Sequence, residues 1–282
     1  MKTYFIRHSK TWDICPDHTH SLFNKRQIAI AFEDVKSMNP RDYKNPKSQS
    51  SISKLAQLAK DGGYVCSTFL DTPGCLVGKV EKESPIEFVI AKRPAEPNRP
   101  AILKVLQLPT STRLVDPDVA NKILVAQPQG TICEWRAVED RVKQLFEKGR
   151  IEVRTFADLL FYEVEVMCAE FLRTEIAKQE GLPVMRYLTA RVGGSKAVVD
   201  FSGVSNENKD ILAQVTYYKN TASQLKQKIK TLKELQTTKS IHLLMFCQCE
   251  APYEDGSVKV YPVERVFEFM KKCPIWKRSV GF

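Results

Sequence analysis

No apolar run in the 282-residue sequence approaches the ~20 residues that a membrane-spanning helix needs. The opening MKTYFIRHSKTW meets charge and a tryptophan too early for a secretory signal. There is no low-complexity tract, no G-x-S-x-G nucleophile elbow and no P-loop. The glycine pairs Gly62-Gly63 and Gly193-Gly194 do not extend to G-x-G-x-x-G. Lipase-type and NTPase chemistry therefore have no support. Regular cysteine spacing is missing too: eight cysteines scattered over a chain this long fit reduced thiols, not a disulfide framework. A cytoplasmic protein without membrane contact is the expectation.

What is present is an ordinary globular composition, 43% hydrophobic and 27% charged. A chain of this length buries a sizeable core and is expected to divide into two domains. The formal net charge is +10. Residues 1–150 hold 24 Lys and Arg against 17 Asp and Glu, so most of the surplus lies in the first half. Such a surplus favours polyanionic partners, nucleic acid above all.

The first half reads as short β-branched or aromatic runs: KTYFIRH, QIAIAF, GYVCST, CLVGKV, IEFVIAK and AILKVLQL. Pro, Gly, Asn and Asp clusters separate them. One helix, SSISKLAQLAKDGG, interrupts them, with a serine cap and a glycine stop. Strands of this kind with a helix laid across predict a small, bent barrel. A further helix over EWRAVEDRVKQLFEKG repeats Val138, Val142, Leu145 and Phe146 at helical spacing and ends at Gly149. The domain boundary is set there, giving 1–150 and 151–282. The second half opens with one long helix from Thr155 to Gly181. Strand, strand, strand, helix, strand and helix follow, which predicts a mixed sheet flanked by helices and an α+β chain overall.

Residues 199–218, VDFSGVSNENKDILAQVTYY, form a strand pair about a polar turn. A hairpin centred on Glu207 sets Val204 opposite Asp210, Ser202 opposite Leu212 and Asp200 opposite Gln214. Side chains alternate faces, so Asp200, Gln214 and Thr216 share a polar face, and cross-strand partners sit ~5 Å apart. A carboxylate beside an amide carbonyl suits a hard cation such as Mg²⁺ or Mn²⁺.

By these residues the chain resembles the PD-(D/E)xK nuclease superfamily, and within it the Mrr-like restriction endonucleases. The likeness is carried by VGGSKAVVDF and ILAQVTYYKN and spans about residues 155–270. It implies a restriction-endonuclease-like domain with Asp200 as metal ligand, Gln214 at the Glu/Gln position, and Glu165 as the first-helix carboxylate, with Glu163 and Glu170 as competitors. It implies Mg²⁺- or Mn²⁺-dependent hydrolysis of DNA, plain or modified, in a restriction or antiviral defence role, with a homodimer for cutting both strands. The sequence departs from the pattern where the family carries a lysine: Thr216 stands there. Lys219, three residues on, and Lys196, on the strand that carries Asp200, are the candidate replacements. The alternative is a catalytically inactive nucleic-acid-binding protein that keeps the nuclease fold.

After the hairpin, SQLKQKIKTLKELQ lines up Leu225, Ile229, Leu232 and Leu235 beside a basic face of Lys226, Lys230 and Lys233, with Lys228 further round. A lysine face of this kind can contact phosphates. The first half resembles the PUA-like group that includes EVE and YTH domains, on YFIRHSKTW, QIAIAF, GYVCST and GCLVGKV. That likeness implies a nucleobase reader, with Trp12, Phe32, Tyr64 and Trp135 as candidate pocket walls, or a nucleotide sensor governing the nuclease-like half. Cys15, Asp17, His18 and His20 have the residue types for zinc, but no second ligand pair at a familiar spacing.

Overall fold

A computed structural model describes residues 1–9, 12–70, 72–96, 98–191, 198–236 and 240–280. The chain is mixed α and β and divides into two compact units, Met1–Glu152 and Val153–Phe282. In the first, the elements are β1 (Thr3–His8), α1 (Pro16–Asn24), β2 (Gln27–Ala31), α2 (Pro46–Asp61), β3 (Gly63–Phe69), β4 (Cys75–Val80), β5 (Ile86–Ala91), β6 (Ala101–Gln107), β7 (Arg113–Val115), α3 (Pro117–Leu124), β8 (Ile132–Glu134) and α4 (Glu139–Lys148).

The six apolar runs read from the sequence are all strands, but they do not close into one barrel. Together with β7 and β8 they make a five-stranded sheet in the order β7-β4-β3-β1-β8 and a separate three-stranded sheet, β2-β6-β5. β1 pairs parallel with β3, so the chain crosses over through α1, β2 and α2 between them. β2 leaves to pair antiparallel with β6. Helix α2 buries Ile52, Leu55 and Leu58 against Tyr4 and Ile6 of β1 and Ile28 and Ile30 of β2. Its start lies earlier than the serine cap expected: Asn45 Oδ1 accepts the Lys47 N–H at 2.8 Å, and Pro46 occupies the first turn.

The second unit contains α5 (Phe161–Phe171), α6 (Glu175–Gln179), β9 (Met185–Arg191), β10 (Phe201–Ser205), β11 (Asp210–Lys219), α7 (Ser223–Glu234), β12 (Ile241–Gln248), β13 (Tyr253–Asp255), β14 (Val258–Pro262), α8 (Val263–Met270) and α9 (Pro274–Val280). One six-stranded mixed sheet runs β13-β14-β12-β11-β10-β9. The single long helix expected from Thr155 to Gly181 is instead a short turn followed by α5 and α6. Local caps divide it: the Glu163 carboxylate accepts the Leu160 N–H at 2.9 Å, and Thr174 Oγ1 accepts the Ala177 N–H at 3.2 Å.

The β10–β11 register runs from Phe201↔Ala213 to Val204↔Asp210, centred on Glu207. Gly203 sits where β9 comes closest, and a Cβ there would lie 2.5 Å from the Tyr187 carbonyl oxygen. Helix α7 packs Leu225, Ile229 and Leu232 against Leu243, Met245 and Cys247 of β12 and Leu212 of β11. On the opposite face, Tyr217 stacks near Phe161 and its hydroxyl donates to the Leu159 carbonyl at 3.2 Å. Alternation therefore turns Leu212 and Gln214 of β11 towards α7, and the strand shifts register against β12 between Val215 and Lys219. Ala213, Val215 and Tyr217 turn towards α5.

Candidate functional site

Asp200 stands at the bend where the chain enters β10. Its N–H donates to the Ala213 carbonyl at 2.9 Å, and its Oδ2 accepts the Val215 N–H at 2.7 Å. The side chain thus takes the place of the next rung of the ladder and clamps Asp200 across Gln214. Gln214 is 5% exposed, and its Oε1 is buried with no hydrogen-bond donor among the described residues. Burial raises the Asp200 carboxyl above its ordinary value, the Val215 N–H and the Lys228 charge opposing the rise. A half-buried carboxylate at the entry to β10 and a buried amide oxygen on the facing strand are oxygen types that suit a hard cation.

Glu165 is buried on α5. Burial first, then the charges of Asp200 and Glu165, push the Cys168 thiol up. Of the competing glutamates, Glu163 caps its own helix and Glu170 pairs with Arg173 at 3.6 Å.

The lysines divide sharply. Lys196 lies outside the described residues. Lys219 is exposed and lies beyond the register shift that follows Val215 in β11. Thr216 is buried, and its Oγ1 accepts the Tyr218 N–H at 3.3 Å. On α7, Lys226 and Lys230 are exposed, as a phosphate-contacting face requires, whereas Lys233 is committed to an ion pair with Asp255. Lys228, which sequence reasoning set aside, is half-buried and holds its Nζ 5.7 Å from the centre of the Tyr218 ring. A helical wheel registered on Leu225 and Ile229 carried that signal, since Lys228 adjoins the buried stripe.

In the first unit, the four aromatic candidates separate. Tyr64 and Trp135 are core residues: the Tyr64 hydroxyl donates to Glu147 at 2.8 Å, and Trp135 Nε1 donates to the Ala126 carbonyl at 2.9 Å. Trp135 also packs edge-on against Phe5. Neither is a pocket wall, because large aromatics of a small unit fill its core. Trp12 and Phe32 instead line one cavity of about 300 Å³, with Arg7, Glu33 and Arg93 among its other walls. Trp12 Nε1 and Arg93 Nε are buried there without acceptors. Arg93 is otherwise held by Asp13 at 3.5 Å and by Asp34, and Glu33 accepts the Lys44 and Asn45 N–H groups at 2.7 and 2.8 Å. No local pattern announced Arg7 and Arg93, which join the tryptophan only through the sheet pairing.

Cys15, Asp17 and His18 lie at the start of α1 and His20 on its second turn. Among the described residues no three His, Cys, Asp or Glu side chains gather as a metal-binding group. Among the described residues, too, no helix is long and apolar enough to cross a membrane.

No protein-family model matches the chain. No curated protein matches it either. Among solved structures, the crystal structure of a repair endonuclease from Pyrococcus abyssi aligns over 88% of this chain and 95% of that chain, at 10% identity and a TM-score of 0.22. A likeness that slight carries no argument about fold or activity, so function must be argued from the residues themselves.

Proposed function

We propose that the chain is a DNA-directed protein whose second unit hydrolyses phosphodiester bonds with Mg²⁺ or Mn²⁺, and whose first unit holds a nucleobase of plain or modified DNA. The observation that carries the proposal is the buried Gln214 Oε1, without a donor among the described residues, on the strand that the Asp200 carboxylate grips through the Val215 N–H. Asp200 and Gln214 would hold the ion, with Glu165 as a further carboxylate on α5. When bound, such an ion polarises a phosphoryl oxygen and eases the loss of a proton from water. The Val215 N–H keeps the Asp200 carboxylate oriented, and the burial of the pair excludes bulk water. The water oxygen bonds to phosphorus, the bond to the leaving ester oxygen breaks, and one water proton ends on that oxygen while the other goes to solvent. Exposed Lys226 and Lys230 would hold the flanking phosphates. A homodimer would serve to cut both strands.

In the first unit, the aromatic walls Trp12 and Phe32 suit stacking, and the Trp12 Nε1–H and Arg93 Nε–H donors, without acceptors among the described residues, suit the carbonyl acceptors of a base edge. Incubation of the purified protein with plain and base-modified linear DNA tests both halves. Cleavage that needs Mg²⁺ or Mn²⁺ and differs between the two substrates is the expected result. Absence of cleavage together with absence of bound Mn²⁺ would sink the hydrolase reading. A second reading, a binding protein without catalysis, is favoured by one observation: Thr216, its hydroxyl engaged by Tyr218, leaves the family's lysine position uncharged. DNA binding with Mn²⁺ bound but no cleavage would select it. Cleavage that requires a free nucleotide would instead make the first unit a sensor.

A further inference from the structure

We infer that Cys247 and Cys249 form a dithiol site for hydroperoxides, in which Cys249 meets the oxidant from a cavity and Cys247 closes a disulfide behind it. The site depends on neither the ion-binding pair nor the base cavity. All eight cysteines are free thiols, so the resting chain is reduced. Cys247, the penultimate residue of β12, is wholly buried with Leu243 and Met245. Two residues on, Cys249 packs against the same cluster but stays partly exposed. It lies just past the end of β12 and lines a cavity of about 510 Å³, with Arg154, Phe156, Glu264 and Phe267 among the other walls. The Cys247 S–H donates to the Cys249 sulfur.

That bond, with burial added, pushes the Cys247 thiol up; it draws Cys249 down, against burial and the Glu264 charge. The accessible sulfur is therefore the better thiolate, and the thiolate is the nucleophile. Cys66 and Cys75 share a hydrogen bond too, but both are buried, at 0% and 1% exposed, so neither meets an oxidant from solvent. Cys133 is partly exposed but donates its S–H to the Gln129 carbonyl at 3.0 Å. The Cys249 thiolate attacks one peroxide oxygen, the O–O bond breaks, and hydroxide leaves a sulfenic acid. The Cys247 sulfur then attacks the sulfenic sulfur, the S–O bond breaks, and the departing hydroxide takes the Cys247 proton as water. Two sulfurs are oxidised and one peroxide is reduced. Two extended residues advance ~6.6 Å, inside the span of about 4.4–6.8 Å between α-carbons that a disulfide bridges. Cys249 stands outside the ladder, next to the bend at Glu250, where the chain can turn to close the ring.

The test treats the reduced full chain with hydrogen peroxide and maps its thiols over time by mass spectrometry. The tryptic peptide of residues 240–259 holds both sulfurs and no other cysteine. It should lose two hydrogens at least about tenfold faster than any other cysteine is oxidised, and dithiothreitol should restore it. Phenylarsine oxide, which bridges neighbouring thiols, should bind the untreated chain at this peptide. Cys249→Ser should abolish that binding and leave Cys247 reduced under peroxide. Cys247→Ser should halt Cys249 at a sulfenic acid that dimedone traps. Because Cys247 lies in the core, the time course of the unmutated chain and Cys249→Ser decide the matter if that variant does not fold. Earlier oxidation of Cys15, Cys133 or Cys273 overturns the inference. So does a disulfide joining two chains, or an unmutated chain in which Cys249 is oxidised while Cys247 remains a thiol.

Discussion

Asp200→Asn separates the structural work of this residue from its proposed chemistry. Asparagine keeps an oxygen where Oδ2 accepts the Val215 N–H at 2.7 Å, so the clamp across Gln214 survives. Exchanging a charge-assisted hydrogen bond for a neutral one costs about 1 kcal/mol. Relief from burying a charge offsets that cost, because burial already raises the Asp200 carboxyl above its ordinary 3.8. The unfolding free energy should therefore change by no more than about 1 kcal/mol. The sign with pH follows: an acid whose folded pKa is raised contributes most below pH 3.8 and loses that contribution as pH rises through the folded value. The variant should accordingly gain on the parent as pH rises. Asp200→Ala, by contrast, leaves the Val215 N–H without its acceptor and should cost about 1–3 kcal/mol. The ion responds differently. A carboxylate and a unit charge ~4 Å apart attract by about 4 kcal/mol at an effective dielectric of about 20, and a dication by about twice that. Dehydration of both partners returns more than half of it, which leaves about 3 kcal/mol, or at least ~100-fold in Mg²⁺ affinity and cleavage. Denaturant melts, Mn²⁺ titration and cleavage assays on the same preparation measure all three quantities. An Asp200→Asn protein that melts like the parent and still cleaves DNA at the parental rate would refute the reasoning.

Three further outcomes follow from the same structure. Trp12→Ala should weaken nucleobase binding by roughly tenfold or more through lost stacking, with little change in melting. Trp135→Ala should instead destabilise the first unit by about 3–5 kcal/mol; calorimetry with a base-analogue titration checks both, and the reverse pattern would dismiss the cavity assignment. Lys104 is fully buried, its ammonium donating to the Phe32 and Ile102 carbonyls, and burial lowers its pKa from 10.5 to about 8. The folded state then holds fewer protons than the unfolded one between those values, so stability rises from about pH 8 to 10.5, by up to about 3 kcal/mol. Lys104→Met lacks that titration, and a stability gap between the two proteins that stays flat over this range would count against it. Finally, Lys226→Gln with Lys230→Gln should weaken DNA binding alike for all sequences and reduce the salt slope by about 1.8, as expected for two lost phosphate contacts. An unchanged slope would take α7 out of the interface.

Much of the fold was legible because it is local. Six of the eight strands described in the first unit announced themselves through β-branched runs between turn residues, and α4 through its apolar repeat and Gly149. Local signals misled where a short-range bond intervened. Glu163 and Thr174 cap new helix starts inside what reads as one amphipathic run from Thr155 to Gly181. The closed barrel failed for another reason: strand sequences do not encode their partners, and β2 pairs with β6 across more than seventy intervening positions.

At the candidate site, sequence alone determined the hairpin register. The period-two alternation and the turn centred on Glu207 lie within twenty residues, so Phe201 had one way to meet Ala213. Only the tertiary structure decided where the lysines lie: β11 shifts register between Val215 and Lys219, and burial of Leu225, Ile229 and Leu232 rotates α7 until Lys228 lies over Tyr218. The same holds for the first unit, where four aromatics looked alike in sequence. Packing sent Tyr64 and Trp135 into the core and left Trp12 and Phe32 facing a cavity, because burial is a property of the assembled sheets and not of any residue's neighbours in the chain.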